Sequence, residues 1–423
     1  MGGGQDASTR SGALVASTVV PMTGAIPRRG PELGSTATIR DGAVAWNGGE
    51  ITYVGGAEGL DTADTEILEF PGATVVPGFV DCHTHLPFFG WRADEFAARL
   101  AGRTYRDQHG EGGIYRSARL LSEASDEEVI AFCRPLVAEM AAHGTTALEL
   151  KTGYGLSVEA ELRQARLARR LAREAAQTCT VTLLACHAIP PGVGREGWVR
   201  TACDELIPRA AREGLMDAVD IYVEDIAFTL DDLRAVAAAA ADAGLPVRCH
   251  ADQLGRSGAA EAAVEAGARS ADHLNHISAD GVERLGAGQT AGVLLPASTF
   301  MLRASPPPAR ELVESGAIVA IASDFNPGTS PVLSMPEVIA MACGLYELSP
   351  LEALAAATAN AAWVLGLSDR LGTLEPGKRA DFVVLDGDDP ATVPYRPGHN
   401  PVRATFVGGR IVASGDGVQW PTA

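Results

Sequence analysis

Two hydrophobic rhythms divide this chain. Over residues 13–75, short apolar runs alternate with glycine-rich turns: Ala13–Val20, Ala43–Trp46, Ile51–Val54 and Glu66–Phe70. No helical period is visible there, so the segment predicts short β-strands. Beyond it, strand-like runs alternate with long Ala/Arg/Glu-rich stretches of helical period. The predicted strands are Val75–His85, Thr145–Thr152, Cys179–Ala188, Ala218–Asp225, Pro246–Asp252, Ser270–Asn275, Ala291–Ala297 and Ile318–Phe325. The predicted helices include Asp126–His143, Ser157–Ala176, Leu230–Ala243, Gly258–Ala266, Leu333–Tyr346 and Pro350–Leu365. Such alternation is the signature of βα units, and eight of them fit a (β/α)8 barrel. An open doubly wound sheet would bring a Gly-rich phosphate loop after its first strand. Gly153-Tyr-Gly155 is the nearest candidate and lacks the third glycine. β-like runs return at Phe382–Leu385, Ala404–Val407 and Ile411–Ala413. The expected fold is α/β: a TIM-like barrel over 76–372, with a small β-sandwich domain built from both chain ends, 13–75 and 373–423. Residues 1–12 read as a disordered tail, because they lack the apolar centre of a signal peptide.

Composition narrows the function classes. The 423 residues are 46% hydrophobic and carry a net charge of −19. That acidity argues against nucleic-acid and anionic-membrane partners, which need basic surface. The seven cysteines are scattered, with no CxxC pair, so neither a disulfide framework nor a zinc-finger site is expected. A reducing, cytoplasmic location fits. No apolar run reaches membrane-spanning length.

The chemistry gathers at strand ends, where barrel active sites are built. The first strand runs into His83-Thr-His85. Alternate residues of a strand share a face, so both imidazoles point one way and Cys82 and Thr84 the other. His187, Glu224, His250, His273 and Asp324 lie at later strand ends. Any one of them alone would more often be a hydrogen-bonded core residue. His83, His85, His250 and Asp324 together supply three imidazoles and a carboxylate, a donor set for catalytic Zn²⁺ or a similar first-row ion. Such an ion lowers the pKa of bound water to about 7. Cys82 and Cys249 read as core residues.

The segments Asp81-Cys-His-Thr-His-Leu86, Arg92-Ala-Asp-Glu-Phe96, Glu149-Leu-Lys-Thr-Gly-Tyr-Gly-Leu156, His187-Ala-Ile-Pro-Pro191, His250-Ala-Asp-Gln253, Ser270-Ala-Asp-His-Leu274 and Ser323-Asp-Phe-Asn-Pro-Gly-Thr-Ser-Pro331 carry a resemblance. In them the chain resembles the imidazolonepropionase family of the amidohydrolase superfamily. The resemblance implies addition of water to 4-imidazolone-5-propanoate, opening its ring to N-formimidoyl-L-glutamate in histidine degradation. It implies one Zn²⁺ or Fe²⁺/Fe³⁺ per subunit, held by His83, His85, His250 and Asp324. It casts Asp324 as proton carrier, with His273 and His187 orienting water or stabilising the oxyanion. It places Arg92 on the substrate's carboxylate, where a guanidinium binds bidentately. Tyr105, Tyr154, His187, Gln253, Asn326, Gly328 and Thr329 complete the implied substrate site. A homodimer is also what the family suggests.

Alternatives remain at this stage. Arg92 could instead form a salt bridge with Asp94 or Glu95. Bulky Trp91 could reshape the pocket and put the exact ring in doubt. A related hydrolase of a hydantoin or thiohydantoin propionate is one competitor. A deaminase is another, although Gln253 cannot shuttle a proton as a Glu three residues after His250 would. A scaffold that has lost its metal should lack ligands, and all four are present. Binuclear relatives carry a strand-4 Lys; Tyr222-Val-Glu-Asp225 has none, which favours a single ion.

Overall fold

A computed structural model describes residues 11–61, 66–103 and 112–415. Most of the expected tail and Tyr105 lie outside the described residues.

Eight parallel strands form the barrel sheet. With the strands numbered in chain order, these are β5 (Phe79–Asp81), β6 (Thr145–Lys151), β7 (Thr178–Cys186), β8 (Ala218–Val223), β9 (Val247–Ala251), β10 (Ser270–His273), β11 (Ala291–Leu294) and β12 (Ile318–Ile321). They follow one another in space in sequence order. Beyond the ends of β5 and β12 the two outermost strands meet. Thr84 bridges Phe325, His85 N–H donates to the Phe325 carbonyl (2.8 Å), and Asp81 accepts from the Ser323 hydroxyl (2.5 Å) and amide (3.1 Å). Connecting helices include α1 (Ala93–Leu100), α2 (Asp126–Ala142), α3 (Val158–Glu174) and α4 (Leu230–Asp242). α2 and α4 each open with a reciprocal capping box, Ser125 with Glu128 and Thr229 with Asp232.

The remaining strands form one seven-stranded mixed sheet. In chain order they are β1 (Gly12–Val19), β2 (Ile39–Asn47), β3 (Glu50–Gly56), β4 (Ile67–Pro77), β13 (Phe382–Asp386), β14 (Val402–Val407) and β15 (Arg410–Ser414). Their spatial order is β15-β14-β13-β4-β1-β2-β3, so β4 of the N-terminal part joins β13 of the C-terminal part. The expected sandwich is made by this single sheet curling on itself. Trp46 of β2 meets Phe382 and Phe406, from strands three and four places away, at ring-centroid separations of 5.3 and 5.7 Å.

Three expectations need correction. The run Val75–His85 is two strands, because Pro77 has no N–H to continue a ladder and Gly78 leaves room for Thr146. A Cβ on Gly78 would stand 2.0 Å from the Thr146 hydroxyl oxygen. The chain passes here from the small sheet to the barrel. The strands also end earlier than apolar character suggested, so His83, His85 and Asp324 lie just beyond them in irregular backbone. Pro350–Leu365 is two helices, Pro350–Ala356 and Ala359–Val364.

Candidate active site

The barrel interior is charged where aliphatic layers are usual. Glu149 and Lys151 of β6, Asp220 of β8, Arg248 of β9 and Asp272 of β10 are all buried. The Lys151 ammonium lies 2.7 Å from Asp220 Oδ2 and 2.9 Å from Glu149 Oε2, and Arg248 donates to Glu149. Buried charges persist only when paired in this way. Alternation along β6 and β8 would have revealed this ladder, since Glu149/Lys151 and Asp220/Tyr222/Glu224 are each two residues apart.

The ladder sets the state of the imidazoles above it. His83 Nδ1 donates to Asp272 (2.6 Å) and His250 Nδ1 donates to Asp220 (3.2 Å). A neutral ring bonded this way keeps its lone pair on Nε2. His83 Nε2 has no hydrogen-bond partner among the described residues and lies 3.6 Å from Asp324 Oδ1. His250 Nε2 is 3.4 Å from His85 Nε2, which is 3.2 Å from Asp324 Oδ1. Three ring nitrogens and one carboxylate oxygen thus converge in the buried interior. Three imidazole nitrogens and a carboxylate oxygen at this spacing make a donor set that fits a divalent metal. In two overlapping groups of three, His83/His85/Asp324 and His83/His250/His273, the ligand atoms all lie within 4.8 Å of one another. Glu224 belongs to neither; it accepts from the Leu254 amide at 2.8 Å.

Burial favours the neutral form of His83, His85, His187 and His273, whereas at His250 burial is outweighed by the Asp220 carboxylate and the imidazole is held above its ordinary value. Burial lowers His83 and His187 well below the usual imidazole range and His273 to about 3. For Asp324 burial opposes ionisation, but the His85 hydrogen bond and the surrounding rings outweigh it and hold the carboxyl below its ordinary value. Asp324 and His273 take left-handed backbone, with φ of 55° and 80°. Strain of this kind in non-glycine residues gathers at functional sites.

The cavity above the cluster is lined by His85, His250, His273 and Asp324 on its floor. Arg92, Tyr154, His187, Gln253, Asn326 and Thr329 form its walls, so most of the predicted side chains meet in one place. Ile114 and Tyr222 join them and were missed. Tyr222 could have been found, since it alternates with Asp220 on β8. Arg92 is 3% exposed, and its Nε and Nη1 make no hydrogen bond among the described residues. Nη1 stands 3.6 Å from Glu95, while Asp94 pairs with Arg116 instead.

The geometry corrects three roles. His187 Nδ1 donates to the Gly153 carbonyl at 3.1 Å, which leaves Nε2 bare. This ring is an acceptor rather than an oxyanion donor. Asn326 Oδ1 accepts the Gly328 amide (2.9 Å), the Thr329 amide (2.7 Å) and the Thr329 hydroxyl (3.0 Å). The turn therefore spends its donors internally, as Asx motifs do. Gly328 serves Arg92 instead: a Cβ there would stand 2.1 Å from the guanidinium. Trp91 does not line the cavity; it packs edge-on against Phe88 and Phe325 and is 41% exposed.

Residues 74–412 match the amidohydrolase family model. Solved structures share the fold: an adenosine deaminase from Xanthomonas campestris with bound zinc (TM-score 0.72, 19% identity, 95% of this chain and 92% of that one), and the guanine deaminase of E. coli (0.71, 18%, 95% and 99%). Identity is far higher to imidazolonepropionases. That of Paracoccus denitrificans is 42% identical over 90% of this chain and 96% of its own length, and that of Deinococcus radiodurans is 43% identical over 90% and 95%. The chain therefore belongs to the imidazolonepropionase family of the amidohydrolases.

Proposed function

We propose that this chain hydrolyses the ring C–N bond of 4-imidazolone-5-propanoate to give N-formimidoyl-L-glutamate, a step of histidine degradation. One observation carries the reading beyond its relatives' names. A buried guanidinium, whose Nε and Nη1 make no hydrogen bond among the described residues and whose nearest carboxylate is Glu95 at 3.6 Å, faces the same cavity as a converging His/His/His/Asp set. That pairing suits a small ring bearing a carboxylate.

His83, His85, His250 and Asp324 would hold one divalent ion per subunit, Zn²⁺ or iron. When bound, the ion supplies Lewis acidity and brings the pKa of water near 7. Asp324, ionised at neutral pH, takes the proton of the attacking water and returns it to the leaving ring nitrogen. His273, neutral and buried, hydrogen-bonds the reacting water or carbonyl. His187 Nε2 accepts a ring N–H of the substrate. Arg92 pairs with the propionate, and Tyr154 and Gln253 contact the ring. Gln253 has no acidic proton to shuttle, which disfavours the deaminase alternative. We take the working form to be a cytoplasmic homodimer, as the family resemblance suggests. No helix among the described residues is long and apolar enough to cross a membrane. The test is ultraviolet monitoring of imidazolonepropionate with the purified chain. Its loss with formation of formimidoylglutamate is expected, and an inert substrate would overturn the reading.

A further inference from the structure

Beyond β6 the chain enters Gly153-Tyr-Gly155, the turn that carries Tyr154 into the cavity. Four successive backbone N–H groups there receive side-chain acceptors from one helix. Gly153 N–H donates to Glu161 Oε2 (3.0 Å), and the Gly155 and Leu156 N–H groups donate to Glu161 Oε1 (2.6 and 3.0 Å). Tyr154 N–H donates to Gln164 Oε1 (2.9 Å). Both acceptors belong to α3 on the outside of the barrel, and both are buried, Glu161 at 1% and Gln164 at 0% exposure. Gln164 also donates to the carbonyl of Pro87, two residues past His85 (2.8 Å). It therefore ties the turn to the segment that carries the first histidines.

The contact is specific. A buried carboxylate without a cation is costly unless hydrogen bonds replace its water. Three N–H donors do so here, and Glu161 sits in the first turn of α3, where the helix dipole favours negative charge. The turn closes on the helix only because Gly155 has no side chain: a Cβ there would stand 2.3 Å from the Glu161 amide nitrogen. A Cβ on Gly153, whose φ is +115°, would stand 2.8 Å from His187 Nδ1. The Gly153 carbonyl in turn fixes the tautomer of His187.

We propose that Glu161 and Gln164 are positioning residues for the reaction, fixing through these four N–H bonds where Tyr154 and His187 stand against the substrate. The proposal rests on the hydrolase reading above. The bland alternative is that the pair only stabilises the loop. The two are separated by a double-mutant cycle on the metal-loaded enzyme, with kcat and KM measured for imidazolonepropionate. Glu161→Gln keeps the size but offers one acceptor oxygen in place of two. It should lower kcat/KM on the order of 10–100-fold, through KM first, at unchanged metal content. Tyr154→Phe should weaken substrate binding in the wild-type background and add little in the Glu161→Gln background, because an unpositioned tyrosine has little left to lose. Gln164→Met, which removes both of its hydrogen bonds at similar volume, repeats the cycle if Glu161→Gln does not fold. Amide exchange at 153–156 should accelerate in either variant. Additive losses, or a lowered melting midpoint with unchanged KM, would overturn the proposal while an active wild type keeps the hydrolase reading. A wild type that leaves the substrate untouched would sink both.

Discussion

In the proposed reaction, Asp324 and Arg92 divide the work between single residues. Asp324 is both a ligand-quality oxygen and, among the described residues, the one carboxylate lining the cavity. Asp324→Asn keeps an oxygen for the ion but cannot relay a proton, so kcat should fall about 10²–10⁴-fold with metal binding less affected. Metal analysis alongside kinetics checks this; near-normal kcat would move the base to His273. Arg92→Ala should weaken the propionate substrate by roughly 2–4 kcal/mol, since it removes a charge-assisted pair from a desolvated wall. The same change should matter little for the substrate's amide. Equal losses on both would mean that Arg92 only braces the Pro327-Gly328 turn it packs against.

Elements decide what these residues can do. Asp220 and Asp272 act from β8 and β10 by fixing the protons on His250 and His83. Asp272→Asn should weaken metal affinity about 10–100-fold in a chelator competition, because orienting partners of ligand histidines carry effects of that size. An unchanged affinity would reduce Asp272 to packing. The loop after β8 offers a signed pH test. Burial raises the Glu224 carboxyl to about 7, above its ordinary value. A folded pKa raised in an acid contributes stability at low pH that is lost as pH rises through the folded value. Glu224→Gln should therefore stabilise the fold more at pH about 8 than at pH about 5. The difference in melting midpoint between the two proteins reads this directly; a constant difference would contradict it.

Much of this organisation was legible in sequence. The eight barrel strands were legible because strand-like runs alternate with stretches of helical period, and the candidate ligands because histidines fall at the ends of those runs. The split at Pro77-Gly78 was hidden, since both halves are apolar and only the neighbouring Thr146 shows why the chain must cross. The charge ladder beneath the site was present as a period-two pattern, yet its direction depends on barrel closure. The His187 tautomer and the internally satisfied Asn326 turn depend on distances between residues remote in sequence, and no local pattern encodes them.

At the level of the whole molecule, the proposed function requires four groups from three separated stretches of chain to hold a metal with which the barrel opens a carboxylate-bearing ring. The most direct measurement strips the chain with a chelator and titrates Zn²⁺ or Fe²⁺ back while following imidazolonepropionate loss in the ultraviolet. No turnover is expected in the stripped chain, with a linear return of activity that levels off near about one ion per subunit. Full activity in the metal-free chain would contradict that expectation, as would a plateau at two ions that falls to one in Glu224→Ala.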